Sequence, residues 1–263
     1  MKTTKSIFYL IIILSLYSCK SESINEPVYH PFPTTNAYWT LTHCEFSFFP
    51  KTAFVKVGVF GDTIIRGRTY YKLYAQSNWK RGLSCSDCNF NFSKDQASYF
   101  TSFREENKKI YIVPSQPIGS DPLGSEYIIY DFNIKKVGDA VQVYPFFFQP
   151  VGSVDHPNPP AGWGNLANDS PIEYKVKEIR EVRMSDGSMR NAYLFDDTIL
   201  EAWVEGMGTT HGFASFHHVY DISDNTLGFS SNGVHLLDIR NLDITYMGDC
   251  GIDPFSYELT VKR

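Results

Sequence analysis

YKVKEIREVRMSDGSMRNAYLF, residues Tyr174 to Phe195, is the stretch on which the fold turns. Both of its halves carry β-branched and aromatic residues, and Ser185-Asp186-Gly187-Ser188 parts them. Asp-Gly between two such runs signals a hairpin, because the tight turns that match strand twist need positive φ, which Gly adopts freely. A helix competes for the first half, since Val176, Ile179 and Val182 recur at helical spacing. The turn and the composition favour two antiparallel strands.

The rest of the chain reads in the same way. Arg66-Gly67 precedes Thr69-Tyr70-Tyr71-Lys72-Leu73-Tyr74, and further strands are expected over 108–113, 126–132, 201–204 and 234–246. No long segment after residue 18 keeps a helical period. The expected fold is all-β and mainly antiparallel, with few helices: a curled sheet, barrel or sandwich. Phe and Tyr, 20 and 17 residues, supply a sizeable core. No repeat or boundary divides residues 38–263, which read as a single domain. Within it, 149–171 is rich in Pro and Gly and is expected to be a long irregular loop.

The first 18 residues read as a secretion signal. Lys2 and Lys5 precede an apolar run from Ile7 to Leu16, too short for the ~20 residues that cross a bilayer. The run ends at Leu16-Tyr17-Ser18-Cys19, which resembles a bacterial lipobox and implies lipidation of Cys19. Residues 19–37 then form a tether, polar and broken by Pro27, Pro31 and Pro33. Lys20 is not an acidic inner-membrane retention signal, and Glu22 and Glu26 echo an acidic surface-export tag. The expected address is the cell envelope, at the outer membrane, with the periplasmic or surface-facing side open. Loss of Lys2 and Lys5 makes the formal net charge more negative than −5. That argues against nucleic acid, whose phosphates call for a basic surface.

Four cysteines remain besides Cys19. The favoured pairing joins Cys85 with Cys88 across the turn-like Ser86-Asp87, and Cys44 with Cys250 between the first and last strands. A redox Cys-x-x-Cys needs a helix N-terminus, which the neighbouring Asn89-Phe90-Asn91-Phe92 does not suggest.

Several further motifs occur in a fixed order. Gly61-Asp62-Thr63 and Arg66-Gly67-Arg68-Thr69-Tyr70 come first, then Arg104-Glu105 and Lys109-Ile110-Tyr111. Tyr130-Asp131-Phe132 with Gly138-Asp139, and Trp203-Val204-Glu205-Gly206-Met207-Gly208, follow. Together they resemble a group of secreted and lipid-anchored β-rich Bacteroidetes proteins of unknown function. The resemblance implies an origin and a β fold, and no chemistry.

The candidate ligand-binding residues are Trp163, Trp203 and Glu205. Trp163 lies between two glycines in the long loop, where an exposed ring can stack on a sugar. On a strand Trp203 and Glu205 share a face, although a bulged strand end explains the same glycines. His217 and His218 would point to opposite faces of a strand, so no metal site is expected among His211, His217, His218 and His235. Arg104, Glu105 and Glu106 read as a cross-strand ion pair. No catalytic, metal or cofactor motif is present. The expectation is a non-enzymatic binding or adhesion module, with a glycan or an envelope protein as partner. The alternatives are a hydrolase whose carboxylates converge only in the fold, with Glu205 among them, a structural subunit of an envelope complex, and a carrier of a small apolar ligand.

Overall fold

The computed structural model describes residues 28–45, 51–81, 91–118, 120–149, 163–166, 170–196, 202–209, 213, 222–232 and 234–238. The strands are β1 (Ala37–Glu45), β2 (Lys51–Ile65), β3 (Arg68–Arg81), β4 (Ser98–Glu106), β5 (Lys109–Pro114), β6 (Tyr127–Asp131), β7 (Ala140–Val143), β8 (Phe146–Gln149), β9 (Trp163–Leu166), β10 (Ile172–Arg183), β11 (Met189–Phe195), β12 (Ala202–Val204), β13 (Gly208–Thr209), β14 (Ile222–Ser231) and β15 (Val234–Asp238). No helix occurs among the described residues. The protein is all-β and antiparallel, as the sequence predicts.

Eight strands form one curled sheet in the order β15-β14-β1-β2-β3-β4-β5-β6, and five form a second in the order β13-β12-β11-β10-β7. Each curls into a half-barrel. A backbone bond from Tyr144 N to Ile128 O (2.8 Å), just past β7, joins the second sheet to the edge strand of the first.

The Tyr174–Phe195 hairpin is β10 and β11. Its turn is closed by Gly187 N donating to Met184 O (2.9 Å), with Gly187 at φ +83°. The helix-like spacing of Val176 and Ile179 has a strand explanation. A register shift between Val176 and Glu178 puts one extra residue into β10. Val176 then opposes Phe195 and Ile179 opposes Tyr193, so residues three apart share a face.

The core lies between the sheets and is built from rings. Trp39, Phe103, Tyr130, Phe132, Trp203, Phe213 and Phe229 are each no more than 1% exposed. Phe213 sits edge-on to Trp39 (5.3 Å between centroids), and Tyr130 edge-on to Trp203 (5.1 Å).

Two expectations about irregular segments meet a different structure. Residues 28–36, assigned to the tether, belong to the domain. Phe32 is 3% exposed and packs against Phe103, Tyr130, Phe132 and Phe213. Prolines on either side hold it extended, and its N–H donates to Glu105 Oε2 (2.8 Å). Polar composition hid one aromatic whose burial outweighs its neighbours' solvation. The stretch 149–171 contains a strand, since β9 pairs with β8 and Trp163 opposes Gln149. The remainder, 150–162 and 167–169, lies outside the described residues, as do residues 1–27 with the signal and Cys19.

Candidate functional site

Alternation along the large sheet separates an inner face from an outer one. Trp39, Val55, Val57, Val59, Leu73 and Phe103 point into the core. Tyr38, Lys56, Gly58, Phe60, Tyr70, Lys72 and Tyr74 occupy the alternate positions and so face out.

One row of the outer face is aromatic. Tyr38 on β1 opposes Gly58 on β2, Gly58 opposes Tyr74 on β3, and Tyr74 opposes Tyr99 on β4. The missing side chain at position 58 is replaced by a ring two residues along. A Cβ on Gly58 would lie 2.6 Å from the Phe60 ring and 3.2 Å from that of Tyr38. Phe60 stacks on Phe92, nearly parallel at 5.2 Å, and both meet Tyr38 edge-on at 5.7 Å. Tyr74 meets Phe60 at 6.1 Å and Tyr99 at 5.7 Å. All five rings are half-buried. They form an aromatic surface across four adjacent strands, outside the main core.

Polar groups edge it. Gln76 donates to Gln96 (3.0 Å) and accepts from Ser93 N (2.8 Å), which ties the loop before β4 to β3. The Lys94 ammonium lies 5.6 Å from the centre of the Tyr74 ring. Tyr99 and Ser102 share a hydrogen bond of 2.9 Å. Burial pushes the Tyr99 phenol above its ordinary value against the pull of Ser102, so it stays protonated and can still donate.

Further along the same face is an ion cluster. Arg104 is 6% exposed and makes a two-pronged pair with Glu126, Nε to Oε1 at 2.6 Å and Nη2 to Oε2 at 3.0 Å. Tyr70 donates to Glu126, Glu106 accepts from Arg104 at 2.8 Å, and the guanidinium stacks on Tyr111 at 3.9 Å. The expected cross-strand ion pair forms through Arg104, with Glu126 as the partner, and Glu105 takes no part in it. Neighbours on a strand face opposite ways, and Glu105 points inward to Phe32. This cluster braces β3, β4 and β6.

The structure places Trp203 and Glu205 inside the protein. Trp203 is fully buried, its ring 4.5 Å from that of Phe195 and 5.7 Å from that of Tyr174. Glu205 is 3% exposed and lies in the turn between β12 and β13. Its Oε1 accepts from Tyr193 (2.8 Å) and Asn191 (3.1 Å), and its carbonyl accepts from Arg190 (2.9 Å). Burial holds the Tyr193 phenol well above its usual range, with the Glu205 carboxylate adding to the shift. Gly206 follows at φ +66°, and a Cβ there would meet Pro31 O at 2.8 Å and His30 O at 3.0 Å. Trp39 donates its indole N–H to Met207 O (2.6 Å). The Trp203–Gly208 motif is thus the seat on which residues 28–36 close. That agrees with the structural explanation of its glycines.

Trp163 lies on β9, which pairs with β8 and is not hydrogen-bonded to the large sheet. Cys44 lies on β1 opposite Thr52 and Ser223. Its expected partner Cys250, together with Cys85, Cys88, His211, His217 and His218, falls outside the described residues. Among the described residues no cluster of His, Cys, Asp or Glu is arranged to hold a metal. Sequence reasoning missed the Tyr38–Tyr99 row. Tyr70, Lys72 and Tyr74 gave its parity, but the partners come from strands far apart in the chain.

No family model, no curated protein and no solved structure matches this chain.

Proposed function

We propose that this protein is a lipid-anchored lipoprotein of a bacterial cell envelope that binds a glycan on the outer face of its large sheet. The observation that carries the reading is the set of five half-buried rings, Tyr38, Phe60, Tyr74, Phe92 and Tyr99, on and beside four adjacent strands. A sugar ring presents a C–H face that is apolar and bears partial positive charge, and the negative face of an aromatic ring complements it. Gln76, Gln96 and Lys94 at the edge supply partners for sugar hydroxyls. A few fixed polar groups beside apolar surface are the usual make-up of a small-ligand site.

Two alternatives lose their main support. A glycosidase sets two carboxylates roughly 5 to 9.5 Å apart on either side of its substrate. Glu205 is enclosed by Tyr193, Asn191 and the 28–36 segment, so a sugar has no approach to it. An apolar-ligand carrier needs an open lumen, and here Trp39, Phe103, Tyr130 and Phe213 pack into the space between the sheets.

The test is thermal melting of the exported chain with soluble oligosaccharides, divalent metals, chelator and apolar ligands. A glycan at about 100 times its dissociation constant adds ~2.7 kcal/mol to folded stability. Tyr74→Ala and Tyr99→Ala should remove that gain. A glycan shift that survives both variants places the site elsewhere. A panel that stays flat replaces the glycan with an envelope protein as partner.

A further inference from the structure

Residues 28–36 leave the domain at one defined place. Tyr29 packs on Phe132 (6.1 Å between centroids), and the Lys108 ammonium sits 5.1 Å from the centre of the Tyr29 ring. Lys108 lies in the turn between β4 and β5, which is bonded to the segment after β6. Phe132 N donates to Lys108 O (2.9 Å) and Asn133 Nδ2 to Asn107 O (2.8 Å). Two residues on, Asp139 Oδ2 accepts from Lys135 N (2.9 Å) and Lys136 N (3.1 Å), folding 135–139 into a tight exposed loop. Val137 at its tip is 57% exposed, and Val28 is 78% exposed. Val176, flanked by the exposed Lys175 and Lys177, accepts from Gly138 N and donates to Asp139 O, both at 2.8 Å. One end of the domain therefore carries Lys108, Lys135, Lys136, Lys175 and Lys177 with two exposed valines. Of the acids there, Asp131 is paired with Lys109 at 2.8 Å, Asp139 holds the loop, Glu106 is paired with Arg104 and Glu178 with Arg180, and the exposed Asp196 donates its N–H to Lys175 O at 3.1 Å. This occurs on a chain of net charge −5.

Cys19 precedes Val28 by nine positions. Nine residues reach at most about 30 Å when fully extended. An acyl anchor at Cys19 thus holds this end within about 30 Å of the lipid.

We propose that the end formed by Lys108, Lys135, Lys136 and Val137 docks on an anionic phospholipid surface; this rests on the reading of Cys19 as a lipid anchor. Lysines within a Debye length of an anionic leaflet are attracted to it, and Val137 enters the headgroup layer beside them. The docked end also sets how the domain stands on the membrane.

The experiment is amine acetylation of the full exported chain, read lysine by lysine by mass spectrometry. The chain is reconstituted into vesicles of phosphatidylethanolamine with phosphatidylglycerol, or of phosphatidylcholine alone. Lys108, Lys135 and Lys136 should react several-fold more slowly in the anionic vesicles, while Lys72 and Lys94 on the outer sheet face react equally in both. The exposed double substitution Lys135→Glu with Lys136→Glu should abolish the protection of Lys108. Equal labelling of the three lysines in both lipids, on a chain with lipid mass on Cys19, overturns the docking alone. A chain with no lipid on Cys19 that fails to float with vesicles overturns the anchor, and the docking with it.

Discussion

Replacing Phe32 by Ala tests whether residues 28–36 are part of the domain or a leash. In a leash the change costs nothing. In this structure Phe32 is 3% exposed and touches four rings, those of Phe103, Tyr130, Phe132 and Phe213, at 5.7 to 6.3 Å between centroids. Transfer of the ring to the core accounts for about 1.5–3 kcal/mol. The cavity left among the four buried rings brings the total cost to about 3–5 kcal/mol. That is a large share of the ~5–15 kcal/mol that holds a typical domain together. The assay is urea unfolding followed by tryptophan fluorescence, since Trp39 and Trp203 are buried close by. With a slope near ~3 kcal/mol/M, the midpoint should fall by roughly 1–2 M with the slope unchanged. Val28→Ala, at a position 78% exposed, is the control and should leave the midpoint where it was. A Phe32→Ala midpoint equal to that of the control refutes the packing described here.

Gly206→Ala and Gly187→Ala should differ. Both glycines have positive φ, but a Cβ at 187 meets nothing within 4 Å, whereas one at 206 lies 2.8 Å from Pro31 O. Gly187→Ala should cost about 1–2 kcal/mol for the left-handed backbone alone, and Gly206→Ala more, with part of its effect shared with Phe32→Ala in a double-mutant cycle; equal melting temperatures would remove the close approach. The Glu126 carboxyl is raised by burial, but hydrogen bonds from Arg104 and Tyr70 outweigh this and hold it below its ordinary 4.5. A depressed carboxylate stabilises the fold above its unfolded value, and that stability is lost as pH falls through the lower folded value. Urea midpoints should therefore drop as pH falls below 4.5, and Arg104→Met should flatten that acid arm while lowering stability at neutral pH; an acid arm unchanged by the substitution would assign it to other groups. Gly58→Val pushes a branched side chain into the space taken by Phe60 and Tyr38. It should weaken glycan binding by titration more than it lowers the melting temperature, and the reverse order would make the rings a packing cluster only.

The β architecture was legible because its signals are local. Asp186-Gly187 marks a turn wherever it falls, and runs such as Thr69–Tyr74 and Lys109–Val113 carry strand chemistry without help from partners. The helical competitor over β10 arose in part because a bulge sets Val176 and Ile179 on one face, and a bulge is a property of two paired strands of which only one was in view. Phe32 was hidden for a related reason. Four of the five residues before Asn36 are Pro, Thr or similar polar-loop types, and the ring between them is buried by residues 71 to 181 positions away. Trp203 and Glu205 do share a neighbourhood, with Tyr193 beside both. What the sequence lacked was the second layer that closes over them. The aromatic row depends on the register of β1, β2, β3 and β4, and a shift of one residue in any pairing would disperse it.

The two surfaces are linked by β4. Tyr99 of the aromatic row lies near its start, and Glu106, beside the lysine-bearing turn, lies at its end. Seven residues at about 3.3 Å each put the row roughly 23 Å from that turn along the strand. A domain that rests on the turn therefore lifts the row clear of the lipid headgroups. If Cys19 carries the proposed anchor, Phe32 fixes this arrangement, because the segment that leads back toward Cys19 is packed into the core. Loosening Phe32 should then act at two levels, lowering stability and, on the proposed anchor, freeing the domain to tumble. A variant with the seat weakened but the fold retained would lose lysine protection on anionic vesicles before it loses glycan binding in solution, since the rings of the outer face are held by strand pairing and by the Gln76 hydrogen bonds to the loop before β4.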